Sequence, residues 1–137
     1  MAKKAVYDAL KAKVAADWTA PPPIYFPDEL YSPPDDGSAF ILVQFPVSTV
    51  RTVTLGAPGQ NIIREAGGIR FVLNSELGAG ITDVLSWADA LSNMLTNKVF
   101  DGVRTFEVGS PSTENDNDQG TYFQSWAVVE YEYDFLC

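Results

Sequence analysis

Histidine is absent from the 137-residue chain, and cysteine occurs once, as Cys137. The first absence removes the commonest general base, the commonest zinc ligand and every dyad or triad built on imidazole. A lone thiol forms neither an internal disulfide nor a multi-thiolate metal site. No apolar run approaches the roughly 18 residues needed to span a bilayer. The opening "MAKKAVYDALKAKVAADW" lacks the continuous apolar core of a signal peptide. The expectation is a soluble protein that is not exported, with no membrane partner.

Positive charge is also scarce. Nine Lys and Arg stand against 18 Asp and Glu, a net charge of −9. Residues 1–13 hold Lys3, Lys4, Lys11 and Lys13 against Asp8, a local balance of +3, so the remainder carries −12. A body this acidic repels phosphate backbones and disfavours nucleic-acid binding across it. The lysines read either as a solvated helix face or as a docking face for an acidic neighbour.

What is present fits one domain. The length is ordinary for a domain and 46% of residues are apolar, enough for a core without metal or disulfide. Val6, Leu10 and Val14 predict a helix over residues 3–18, with Trp18 closing its stripe. Residues 20–38 hold six of the nine prolines, which excludes helix. This arm also holds Ile24, Tyr25, Phe26, Leu30 and Tyr31, too apolar for an idle linker. It lies either on its own domain or on a neighbouring subunit.

Residues 39–47 predict a strand with Ile41, Val43, Phe45 and Val47 on one face, and 48–55 a weaker continuation. Another strand follows "GAPGQN", with Ile69, Phe71 and Leu73 on one face. Residues 81–98 predict the main helix, with Ile81, Val84, Leu85, Ala88, Leu91 and Leu95 as its stripe. Asp101-Gly102 marks a turn, and strands follow at 103–108 and 121–135. In the last strand Phe123, Ala127, Val129, Tyr131, Tyr133 and Phe135 share a face, with Glu130, Glu132 and Asp134 on the other. The acidic loop between those strands reads as solvated. The pattern predicts a single α+β domain: a helix over 1–19, the proline-rich extended arm over 20–38, and over 39–137 a mostly antiparallel sheet of four to five strands plus the main helix.

No motif carries chemistry. "GAPGQNI" at 56–62 lacks the lysine and hydroxyl residue of a phosphate loop, since Gln60 and Asn61 follow Gly59. "GAGITD" at 78–83 opens a helix but lacks the third glycine of a dinucleotide fingerprint. The run Glu114, Asp116, Asp118 fails the calcium-loop pattern, because counting from Asp116 the sixth position is Thr121 rather than glycine. No catalytic residue, cofactor or metal is expected, and the chain does not read as an enzyme.

The stretch "TLGAPGQNIIREAGGIRFVLNSELGAGITDVLSWADALSNML", with "GTYFQSWAVVEYEYDF" after it, resembles the tail terminator (tail completion) proteins of long-tailed phages and prophages. The shared pattern runs over about residues 5–135. It comprises an N-terminal helix, a Pro-Ile segment ("PPPIYFP"), a strand leading to a glycine-containing loop, an Arg-x-x-Gly-apolar strand (Arg64, Gly67 and 69–73), a Gly-x-Gly lead into a helix, and a long aromatic strand.

The resemblance implies a structural virion protein that forms a ring, typically a hexamer, on the end of the tail tube. Such a ring ends tube polymerisation and offers the head-joining surface. Implied partners are further copies of the chain, the major tail tube protein and a head–tail connector or neck protein, with DNA passing through the ring without specific binding. The location is the virion tail, assembled in the host cytoplasm. Alternatives are another neck or minor tail ring component, or a ligand-binding domain of unknown activity. For a ring, Gly56, Ala57, Pro58, Gly59 and Gln60 read as an assembly loop of defined shape and little side-chain bulk. Arg64 near its base is a candidate ion-pair partner. Arg51, and Pro23, Ile24 and Tyr25 of the arm, complete the candidate subunit-interface residues.

Overall fold

In chain order the elements are α1 (Lys4–Asp17), β1 (Ile24–Tyr25), β2 (Phe40–Thr52), β3 (Ile62–Glu76), α2 (Thr82–Leu95), β4 (Val99–Phe100), β5 (Val103–Val108), β6 (Ser112–Thr113) and β7 (Tyr122–Leu136). They come from a computed structural model that describes residues 2–27, 29, 38–76, 78, 81–110, 112–113 and 122–137. The acidic residues Glu114, Asp116 and Asp118, and most of the arm from 28 to 37, lie outside the described residues.

The fold is α+β. Six strands run in the order β1-β2-β3-β7-β5-β4, and β6 pairs with β7 off that path. Only the β1–β2 pairing is parallel, so the sheet is mixed but mostly antiparallel. Four to five strands were expected, and the surplus consists of two-residue strands. Segments that short carry no periodicity of their own and exist because a longer neighbour offers them a ladder. The centre is the β3–β7 pair, in continuous antiparallel register from Ile62↔Leu136 to Glu76↔Tyr122.

Strands β3 and β5 are both antiparallel to β7, hence parallel to each other, and parallel strands need a crossover. Helix α2 supplies it. It stops at Leu95 rather than at 98, because Asn97 takes a left-handed conformation (φ 51°) and the buried Thr105 hydroxyl donates to the Leu95 carbonyl. The backbone N–H of Thr105 donates to Lys98 O (2.8 Å), tying the helix end to β5. Asp101 and Gly102 then both take positive φ (48° and 83°), which suits the two-residue turn between β4 and β5.

One face of the sheet carries both helices. Ile41, Val43, Phe45, Ile69, Phe71, Leu73, Ala127, Val129 and Tyr131 are buried there against Val6, Leu10 and Val14 of α1 and Val84, Leu91, Met94 and Leu95 of α2. The α2 stripe is narrower than its sequence suggests: Ile81 and Leu85 fit the spacing but are 46% and 44% exposed, while Met94 is buried. Trp18 is half-buried against the core, its indole N–H donating to Pro22 O (2.8 Å).

Strand β2 continues past residue 47 as far as Thr52, but it changes face part-way. Gln44 pairs with Arg70 and Val47 with Gly68, so β2 holds one residue more than β3 in this interval, a bulge at Phe45-Pro46. Proline is tolerated there because, among the described residues, β2 beyond Leu42 borders no further strand on that side. The extra residue shifts the alternation by one. Val47, expected beside Phe45 in the core, therefore turns to the opposite, open face and is 61% exposed.

The arm keeps its described part on its own domain. Pro23 O accepts from Ile41 N (2.9 Å), and Phe26 is buried against Tyr7. Glu29 accepts from Phe26 N (2.8 Å) and from Lys11 Nζ (2.6 Å), fastening the arm to α1.

Candidate subunit interface

Past the bulge, β2 and β3 run to one end of the sheet and are joined there by residues 53–61. That loop has a defined shape. Gln60 N donates to Ala57 O (2.9 Å), with Pro58 and Gly59 (φ 86°) between them. A left-handed glycine at the third position is the requirement of a type II turn, and proline before it is favoured. Thr54 Oγ1 accepts from Ile62 N (2.9 Å), Val53 N donates to Ile62 O (2.8 Å), and Cys137 N donates to Asn61 O (3.0 Å). The end of β7 thus grips the base of the loop. Gly56, Ala57, Pro58, Gly59 and Gln60 are all exposed.

This end of the molecule shows apolar side chains to solvent. Leu55 is fully exposed, and Val47, Val50, Val53, Ile62 and Leu136 are exposed as well. Exposed apolar groups gathered in one region mark interaction surfaces more often than singly scattered ones do. Charge is sparse here: between residues 39 and 63 the only ionisable charge is Arg51, in a chain of net −9.

Behind the loop, on the open face, lies an ion-pair cluster across three strands. Arg64 of β3 makes a two-pronged contact with Asp134 of β7, Nε to Oδ1 at 2.8 Å and the second nitrogen to Oδ2 at 3.1 Å. Arg104 of β5 reaches Glu132 Oε2 (3.0 Å) and Asp134 Oδ2 (3.2 Å). The strand register sets this pattern, with Arg64 opposite Asp134 and Arg104 opposite Glu132. The hydrogen bonds from Arg64, helped by Arg104 and opposed by partial burial, hold the Asp134 carboxyl below its ordinary range. Arg64 is therefore occupied within its own chain. Arg51 sits directly opposite Arg64 on β2, and among the described residues it has no ion-pair partner.

On the helix face the same strands are anchored to α1. Glu65 is buried and accepts from Lys3 N (3.1 Å), at the start of α1, and from the Tyr131 hydroxyl (3.2 Å). A carboxyl group at that helix end also complements the helix dipole. Burial, with the Glu65 carboxyl beside it, pushes the Tyr131 phenol well above its ordinary pKa. Gly67 leaves room for the Tyr131 ring to pass over β3, since a Cβ there would stand 3.1 Å from the ring. The spacing Arg64-x-x-Gly67 thus serves both faces: the arginine the ion-pair cluster, the glycine the close approach of an aromatic ring.

The structure brings Arg51, Arg64 and residues 56–60 to one end of the sheet. Pro23, Ile24 and Tyr25 lie elsewhere, at the outer edge beside Ile41 and Leu42. Asp134, Glu132, Arg104 and the buried Glu65 escape a reading of single residues, because only the pairing of distant strands assembles them. The alternation of acids along β7 is the signal that could have found two of them.

Among the described residues, no group of three or more His, Cys, Asp or Glu side chains could hold a metal, and no helix is long and apolar enough to cross a membrane. No protein-family model and no curated protein matches the chain. Eleven solved chains do match. One, whose name carries no functional word, is 16% identical with a TM-score of 0.63, over 98% of this chain and 97% of its own. At that identity the likeness shows the α+β fold along the whole length and nothing about activity.

Proposed function

We propose that the protein is a ring-forming tail terminator, a structural component that caps the phage tail tube and presents the head-joining surface. The observation that carries this reading is the exposed apolar end of the sheet: a shaped turn at 57–60, fully exposed Leu55, and Val50, Val53, Ile62 and Leu136 around it. Such an end suits contact with another protein chain better than it suits water. The resemblance of residues 54–95 and 120–135 supplies the kind of assembly. The elements it implies stand in the implied order: N-terminal helix, Pro-Ile segment, glycine loop between two strands, helix and long aromatic strand. Contacts with further copies, with the tube protein and with a neck protein would then be where specificity resides.

The test is tail length in particles assembled without this chain. Overlong tubes are expected when the terminator is missing. Tails of normal length that lack heads would instead make the protein a neck component.

A further inference from the structure

A ring needs two unlike patches on every copy, one meeting the other on the next copy around. The free side of β2 offers the first. It carries Arg51, the one charge within residues 39–63, together with exposed Val53 and Leu55. Successive same-face positions on a strand lie about 7 Å apart, so Arg51 and Val53 make a cationic and an apolar contact side by side on the open face.

The second patch lies across the sheet, beyond β3, at the β7–β5 pair. A groove of about 550 Å³ runs between β5 and β7, lined by Asn97, Phe106, Glu107, Val108, Val128 and Glu130. Phe106 and Val128 are 39% and 41% exposed, so its floor is apolar and wet. The groove exists because β5 bulges between Thr105 and Val108, opening the strand pair above Gly109, whose N–H returns to Val128 O (3.1 Å). Glu107 and Glu130 rim it. Among the described residues neither has an ion-pair partner, unlike Glu132 and Asp134 next door.

The geometry points to this groove as the receptor for the β2 end of a second copy, with Val53 and Leu55 on Phe106 and Val128 and with Arg51 between Glu107 and Glu130. Charge selects the occupant. The groove is doubly acidic, and at the β2–β3 end Arg51 is the charge left over, since Arg64 and Arg104 beside it are matched by Glu132 and Asp134. The strand order selects the manner. The two patches sit on opposite sides of one sheet, and Arg51 and Glu130 share its open face. Copies side by side therefore bring unlike patches together and continue head to tail, as a closing ring requires. This inference rests on the ring reading and adds which surfaces meet.

The experiment uses the full chain in two forms, R51E alone and E107K/E130K, followed by sedimentation velocity over a concentration series. Thermal melting within a few degrees of the native chain confirms folding, as expected for exposed side chains without ion-pair partners. Each form alone should need roughly tenfold more protein to assemble, because attractive contacts at the rim become repulsive. Mixed in equal amounts, the two should assemble as the native chain does. The carboxylate that R51E introduces then meets the lysines of the second form. The unaltered Arg51 of that second form meets the unaltered Glu107 and Glu130 of the first, giving an alternating ring. If each form assembles like the native chain, or if the mixture assembles no better than its components, the groove is not the receptor, while the terminator reading stands. If the native chain never assembles, even with tube protein added, the terminator reading falls and this inference with it.

Discussion

Gly67 faces the carbonyl oxygen of Val47 so closely that a Cβ on the glycine would stand 2.4 Å from it. The approach is a consequence of the bulge at Phe45-Pro46, which swings the β2 backbone toward β3 where the Tyr131 ring already crosses. Gly67→Ala should therefore destabilise the fold by about 1–3 kcal/mol, the range of an overpacked interior. Gly68→Ala makes the control. Its Cβ would lie an ordinary 3.6 Å from Val128 Cγ1, and its cost should stay within about 0.5 kcal/mol. Urea midpoints of the two variants compare them directly, and equal midpoints would refute the crowding argument.

Tyr131 gives stability a dependence on alkaline pH. Its phenol is held above the ordinary value of about 10. As pH rises past that value, the unfolded chain releases the proton while the folded chain retains it. The contribution is complete below about pH 10 and is lost as pH climbs toward the folded value. Tyr131→Phe should flatten that alkaline loss. At neutral pH it should cost about 1 kcal/mol for the hydrogen bond to Glu65. Melting temperatures at neutral pH and between about pH 9 and 11 would show both effects, and an unchanged alkaline slope would remove Tyr131 as its source.

Much of this architecture is written in periodicity. The spacing of Val6, Leu10 and Val14 gives α1. The alternation from Phe123 to Phe135 gives β7 with its faces correctly assigned, because both signals extend over several turns or pleats. What stays hidden depends on partners. β1, β4 and β6 have two residues each and are strands only beside longer ones. Ile81 and Leu85 fit the α2 stripe, but the sheet beneath covers a narrower arc. For the interface, glycine and proline announced a shaped turn at 56–60. That Arg64 would be consumed by Asp134, 70 residues away, while Arg51 has no ion pair among the described residues, follows only from strand register.

The Arg64–Asp134 contact should show itself in acid. Asp134 titrates below its ordinary value in the folded chain, first because Arg64 hydrogen-bonds to it. Its contribution is present above the unfolded pKa of about 3.9 and disappears as pH falls through the folded value. Asp134→Asn should lower stability slightly at pH 7 and converge with the native chain toward about pH 2. Denaturant midpoints across that range test it, and a constant offset between the two chains at every pH would contradict the assignment. Because both groups are partly exposed, added salt should shrink the difference as well.

The change of face along β2 makes the sharpest contrast between neighbours. By simple alternation Phe45 and Val47 are equivalent core positions, but the bulge buries the first, at 7% exposure, and turns the second out to the solvent. Phe45→Ala should cost about 3–5 kcal/mol, the loss expected for an aromatic ring removed from a core, where it packs beside Tyr7. Val47→Ala should change stability by no more than about 0.5 kcal/mol, as at an exposed position. Val47→Asp should fold as well, since its carboxyl would stand in water, whereas Phe45→Asp should not. Chemical denaturation of the alanine pair and soluble expression of the aspartate pair give two independent readings. Comparable losses at 45 and 47 would mean that the strand runs without a bulge. The face argument behind Arg51 and its receptor groove would then fail too, because Arg51 reaches the open face only through that one extra residue.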